Sequence, residues 1–293
     1  MKKISFLPFK VCKATSLLGG MLLLSGCQFL DIFSPEINYI DDPVSEYRIT
    51  KDILYGRDKN VTFDLHQPVS IGGNPAEVVI LLHGGGWISG DKVFLSPTIE
   101  QLTKAKKNLA IVNINYRVRP TSSTEDLFTT QLADLQSVID YLQYNAEKFN
   151  IRTDGYRLAG ASAGGHLALA YAYKNRSNTI KAVVAISAPT ELSIKELLSI
   201  SLWPNVEKLI GRKYTDSTDA FRKASPFHLA TYNSPKTILV YGQKDTLVSN
   251  QQGDMMAKKL RLLRVPCQFQ IFSEEGHDIT PNRFAVSILE TYN

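Results

Sequence analysis

Two stretches carry residues whose types and spacing could do chemistry. The first is Gly160-Ala161-Ser162-Ala163-Gly164. A short apolar run (Tyr156, Leu158, Ala159) leads in, and Gly165 to Tyr173, rich in small and apolar residues, leads out. A strand must therefore end, turn and enter a helix within a few residues, which would set Ser162 on a strained elbow with its hydroxyl exposed. Glycine suits positions 160 and 164 because side chains there would collide as strand and helix close on each other. A serine held this way is a candidate nucleophile, but its hydroxyl attacks poorly until a base removes the proton. The five-residue pattern is short enough to arise by chance, so its partners decide its meaning. The second stretch is His83-Gly84-Gly85-Gly86-Trp87. Consecutive glycines free the backbone to turn N–H groups toward one point, as an oxyanion hole requires. A plain bend or a phosphate cradle are the other uses of such a loop. A phosphate loop would want a Lys-Ser/Thr pair after the glycines, and Trp87-Ile88-Ser89 does not supply it.

The elements that must position these stretches can be read from periodicity. Arg48 to Leu54 and Asn60 to His66 alternate like two antiparallel strands, with Gly56 to Lys59 as the turn. Glu77 to Leu82 and Leu109 to Asn115 are continuous apolar runs, the mark of central strands covered on both faces. Pro97 to Lys107 between them suits a helix, giving a βαβ unit. Glu125 to Phe149 predicts one long amphipathic helix. After the elbow, strands are expected at Lys181 to Ile186, Lys236 to Tyr241 and Cys267 to Phe272, and helices at Gln251 to Leu263 and Asn282 to Tyr292. This alternation predicts an α/β fold with a mostly parallel central sheet and helices on both faces. Ala188 to Pro235 interrupts it and is too long for a plain loop; it is expected to be a small, mostly helical cap, so that residues 188–235 form an insertion in a domain spanning 46–293.

At this point the sequence resembles a known family. His83 to Lys92 (His-Gly-Gly-Gly-Trp-Ile-Ser-Gly-Asp-Lys) followed by Gly160 to His166 is similar to the α/β-hydrolase superfamily, and more narrowly to its HGGG-motif carboxylesterases and lipases related to hormone-sensitive lipase. The resemblance runs from about Arg48 to the end. It implies an α/β-hydrolase fold, and it implies oxyanion donors at the N–H groups of Gly84, Gly85 and Ala163. It also implies the chain order Ser, then Asp/Glu, then His. Asp245 lies in the loop after Lys236 to Tyr241, where the acid is expected, and His277 in the loop after the last strand. His277 would take the Ser162 proton and return it to the leaving alcohol, with Asp245 orienting the ring.

The competing residues have duller readings. Of the five histidines, His66 lies in an early strand, His83 starts the glycine loop and is expected to brace it, His166 sits one turn past Ser162 as a packed residue, and His228 lies in the cap. Glu191 and Asp278 are alternatives to Asp245, while Glu274 and Glu275 read as a solvated loop face. No metal site is expected: the histidines are scattered, no H-E-x-x-H occurs and Cys267 stands apart from them. No cofactor is implied. The expected activity is hydrolysis of small or medium esters through an acyl-enzyme. Arylformamidase-like amide hydrolysis, feruloyl or acetylxylan esterase activity and a non-catalytic binding role share the fold. A prolyl-peptidase reading lacks a propeller-sized domain.

The first residues follow a different pattern. Lys2, Lys3, Lys10 and Lys13 precede an apolar run ending in Leu24-Ser25-Gly26-Cys27, with no acidic residue before Asp31. A basic start before a short apolar core is a secretory signal rather than a membrane span. Here the sequence resembles the bacterial lipoprotein signal. The resemblance implies that residues 1–26 are removed, that Cys27 is lipidated, and that 27–45 tether the domain to a membrane of the cell envelope, with Gln28 favouring the outer one. Four of the 33 basic residues leave with that segment, so 29 remain against 28 acidic ones. The basic balance therefore belongs to the targeting segment and argues for no nucleic-acid partner. Cys12 would leave with the signal and Cys27 would be lipidated, so Cys267 alone would remain and the mature chain would hold no intramolecular disulfide.

Overall fold

A computed structural model describes residues 40–41, 46–56, 58, 61–69, 74–106, 108–118, 126–175 and 179–292. The proposed signal segment and Cys27 lie outside them. Among the described residues nine strands form one sheet: β1 (Ile40–Asp41), β2 (Tyr47–Leu54), β3 (Thr62–Pro68), β4 (Glu77–Leu82), β5 (Leu109–Ile114), β6 (Tyr156–Ala161), β7 (Ile180–Ile186), β8 (Lys236–Gly242) and β9 (Cys267–Phe272). Their order is β1-β2-β3-β5-β4-β6-β7-β8-β9. β1 to β3 pair antiparallel, β3 meets β5 antiparallel, and from β5 to β9 every pairing is parallel. Ile40 and Asp41, inside the stretch expected to be a tether, pair with Ile49 and Arg48. The apolar runs β4 to β8 are buried along almost their whole length, because helices cover both faces of the parallel region.

The helices are α1 (Ser96–Ala105), α2 (Leu127–Tyr144), α3 (Ala146–Phe149), α4 (Ala163–Lys174), α5 (Trp203–Ile210), α6 (Thr218–Ala224), α7 (Pro226–Leu229), α8 (Gln251–Leu262) and α9 (Pro281–Leu289). α1 and α9 bury Ile99, Leu102, Phe284 and Ile288 against Val79, Leu81, Ile111, Val184 and Val240 on one face. On the other, a Cβ at Gly253 of α8 would lie 2.4 Å from the Tyr241 ring. The single long helix expected over Glu125 to Phe149 is broken at Asn145, which leaves helical geometry at φ −99°, ψ 12°. Its side-chain amide donates to the Tyr141 carbonyl, 2.9 Å, a local bond that competes with helix continuation. Asn150, at φ 46°, then turns the chain out toward β6.

β4 is followed in the chain by β5 on one side and flanked by β6 on the other, so the strand order reverses there. Ligand sites in open parallel sheets form at such switch points, at the carboxyl ends of the strands. The glycine loop leaves β4, the serine elbow leaves β6, and the loops carrying Asp245 and His277 leave β8 and β9. All four open on the same edge because these strands are parallel. Residues 188–235 are a chain of short helices, including α5, α6 and α7, that returns to this edge. Leu198 bridges to Val248 in the loop after β8, and Ser199 N–H donates to the Leu247 carbonyl at 2.9 Å.

Candidate active site

Ser162 lies at φ 53°, ψ −119°, the left-handed side of backbone space that a non-glycine residue enters only under constraint. Its N–H is held by the Ile186 carbonyl (2.7 Å) and its carbonyl accepts from His166 N–H (3.0 Å), so the elbow is pinned to β7 and to α4. The flanking glycines are required by space. A Cβ on Gly160 would lie 2.4 Å from the Gly164 carbonyl, and one on Gly164 would lie 2.3 Å from the Leu82 carbonyl oxygen.

Ser162 Oγ is 2.9 Å from His277 Nε2, and His277 Nδ1 is 2.8 Å from Asp245 Oδ2. The Asp245 side chain is fully buried, and its second oxygen accepts from the N–H groups of Leu247 (2.8 Å) and Val248 (2.9 Å). A carboxylate only accepts, so the Nδ1 facing it carries the imidazole proton. Nε2 is then left as the acceptor for the Ser162 hydroxyl. The residues come from three loops far apart in the chain, joined because Gly242 packs so closely under the His277 loop that a Cβ on it would lie 2.1 Å from the Gly276 carbonyl oxygen.

Gly84 faces this group: a Cβ on it would touch Ser162 Cβ at 3.4 Å. The loop runs through φ 118° at Gly85, 58° at Gly86 and 64° at Trp87. The first two values suit glycine, while Trp87 holds its value because it is anchored elsewhere. The Gly85 carbonyl is taken by Ser89, whose Oγ donates at 2.7 Å. Among the described residues the N–H groups of Gly84, Gly85 and Ala163 have no protein acceptor. His83 stacks on Tyr116, with ring centroids 4.3 Å apart, and Tyr116 donates to the His83 carbonyl at 2.8 Å. Burial lowers the pKa of His83, so it braces the loop as a neutral ring.

The other candidates lie elsewhere. Glu191 is buried, with one oxygen 2.6 Å from His228 Nε2 and the other accepting from Ser193 and Ser225. It ties the two ends of the cap together and does not meet His277. Asp278 is exposed. His66, in β3, is pushed down to about 4 by burial. Glu274 pairs with Lys244 on the surface, but Glu275 is not the solvated residue its sequence suggests. It is buried beneath the His277 loop, accepting from Thr280 and pairing with Arg283 at 3.1 Å. Two supporting residues were not anticipated. Gln131 donates from α2 to the carbonyls of Trp87 and Arg117, both at 2.7 Å. Lys92, just past the glycine loop, is buried between Asp52 (2.5 Å) and Asp64 (3.1 Å). The signal for Gln131 is a polar residue on the apolar stripe of its helix; Lys92 sits in a loop, where no periodicity marks burial. Among the described residues no group of His, Cys, Asp or Glu side chains could hold a metal ion.

This sheet order, the serine elbow after its central strand and the loops converging on it define an α/β-hydrolase fold. The chain belongs to the BD-FAE family, whose model matches residues 63–260. It is similar to Esterase LipC of Mycobacterium tuberculosis, 25% identical over 223 residues that make up 71% of this chain and 54% of the relative. It is also similar to the kynurenine formamidase of Meyerozyma guilliermondii, 25% identical over 244 residues, 78% of this chain and 87% of that protein. The chain spans about half the length of the mycobacterial esterases it matches. Among solved structures, a truncated carbohydrate esterase from gut microbiota shares the fold with a TM-score of 0.71 at 19% identity, over 88% of this chain and 99% of that one.

Proposed function

We propose that the protein is a serine carboxylic-ester hydrolase acting on small or medium esters. The observation that carries the reading is the continuous line from Ser162 Oγ through His277 to Asp245, with hydrogen bonds of 2.9 and 2.8 Å. His277 Nε2 takes the Ser162 proton as Oγ attacks the ester carbonyl carbon. The oxygen that becomes negative is received by the N–H groups of Gly84, Gly85 and Ala163. Collapse of the intermediate breaks the bond to the alcohol, which leaves with the proton from His277, and an acyl-serine remains. Water then attacks that acyl group, giving its proton to His277, and the acid departs as Oγ regains a proton. Asp245 holds the ring in its Nδ1–H form and stabilises the imidazolium that forms twice per cycle. Each oxyanion donor of this kind is worth about 100- to 1000-fold in rate.

The named esterases among its relatives support this reading. The formamidase, matched over most of its length, supports amide hydrolysis by the same groups as the second reading. Turnover of short p-nitrophenyl esters, acetylated xylan and N-formylkynurenine, with Ser162→Ala as control, separates them. Activity on the amide alone would overturn the ester reading. We propose further that Cys27 is lipidated and holds the domain at a membrane of the bacterial cell envelope. The support is the lipoprotein-like sequence ending at Cys27.

A further inference from the structure

We infer that His166 is a positioning residue that ties the glycine loop to the cap through Trp87. The inference rests on the proposed role of that loop in receiving the oxyanion. His166 is fully buried on α4, one turn beyond Ser162. Its Nδ1 accepts from the Trp87 indole Nε1–H at 3.0 Å, and its Nε2 contacts the carbonyl oxygen of Ala224, also at 3.0 Å. An indole only donates and a carbonyl only accepts, so the ring is fixed as the neutral Nε2–H form. Burial favours the same state, pushing the pKa down to about 4.

Each partner lies where its position matters. Trp87 is the first residue after the three glycines with a side chain to anchor, and it holds φ 64° with its carbonyl bonded to Gln131. Gly85 and Gly86 have no side chain of their own, so a tilt of the indole passes directly into their peptides. Ala224 ends α6, where a helix leaves carbonyls without an internal partner. An apolar residue could fill the volume of His166. Only a group with an acceptor and a donor on opposite sides can bond the loop and the cap together.

Three substitutions separate these roles. His166→Gln places its amide near the Nε2 position and keeps a donor toward Ala224 but loses the acceptor for Trp87. His166→Asn places its oxygen near the Nδ1 position and keeps the Trp87 bond. Trp87→Phe removes the indole donor. On p-nitrophenyl acetate, kcat is expected to fall about tenfold in His166→Gln and in Trp87→Phe, the equivalent of one oriented hydrogen bond, with KM within about twofold. The double variant should be no slower than the slower single one. His166→Asn, which keeps the Trp87 bond and loses the one to Ala224, should lower kcat by an intermediate factor of about threefold. Unchanged kcat in folded His166→Gln, or multiplicative losses in the double variant, would overturn the inference. A second readout does not depend on turnover. The indole N–H of Trp87, followed by NMR beside that of Trp203, should resist hydrogen exchange in wild type and His166→Asn and exchange quickly in His166→Gln. Protection without any esterase activity would refute the ester-hydrolase reading and leave the link standing. Fast exchange in the wild type would refute the link.

Discussion

Replacing Gly164 by alanine separates two physical effects that act in opposite directions. Gly164 lies in the first turn of α4 and does not have a positive φ, so alanine should favour the helix by up to about 1 kcal/mol. The added Cβ, however, would lie 2.3 Å from the Leu82 carbonyl oxygen and 2.4 Å from that of His83, where real Cβ atoms stay beyond 3.0 Å. Reaching ordinary contact requires α4 to move from β4 by roughly 1 Å, and forced overpacking of this kind costs about 1–3 kcal/mol. Ser162 is the residue immediately before α4, so the same shift displaces Oγ from its 2.9 Å contact with His277. A misplacement of about 1 Å at a reacting group costs roughly 100-fold in rate. Urea unfolding and kcat/KM on p-nitrophenyl acetate should therefore both fall in Gly164→Ala. A variant as stable as wild type or more so, with kcat/KM within about threefold, would refute the close strand–helix packing on which the elbow depends.

Asp245→Asn should keep the fold but lower kcat by roughly 10⁴-fold, because its amide can donate to Nδ1 and so move the ring proton to Nε2, where it blocks Ser162; a loss under tenfold would contradict this. His166 and His66 are both pushed down to about 4 by burial. The unfolded chain therefore binds more protons than the folded one between about pH 6.5 and 4, and stability falls as the pH drops through that window. For fully buried His166 the loss is about 3 kcal/mol by pH 4. Urea midpoints measured from pH 7 to 4 should show the decline, and a flat profile would exclude it. Cys27→Ser should shift the protein from the membrane to the soluble fraction of a bacterial host; retention on the membrane would assign anchoring to another part of the chain.

The central strands were readable because parallel strands covered on both faces must be apolar throughout, and Glu77 to Leu82 or Lys236 to Tyr241 permit no other use. The elbow was readable because Gly160 and Gly164 have a steric reason to be glycine on either side of Ser162. Asp245 and His277 were placed by chain order within a resembled family, and the structure brings His277 to Ser162 and Asp245 to His277. The break at Asn145 was missed because the apolar spacing continues through Phe149, while the side-chain bond to Tyr141 is local and leaves no trace in periodicity. Glu275 read as a solvated loop residue, and the burial of Lys92 left no mark, because nothing in a sequence announces a distant partner. Each is buried only because Asp52 and Asp64, or Arg283 and Thr280, arrive from other elements. His166 was legible as a packed histidine, but not as a bond between the loop and the cap, since Ala224 contributes only a backbone carbonyl.

The most direct test of the central claim is intact-mass and peptide mapping of the domain after reaction with a fluorophosphonate. An activated serine in a His277–Asp245 relay predicts one adduct per chain, located on Ser162, formed quickly in wild type and absent in Ser162→Ala. No adduct on the folded wild-type protein, or an adduct on another residue, would contradict it.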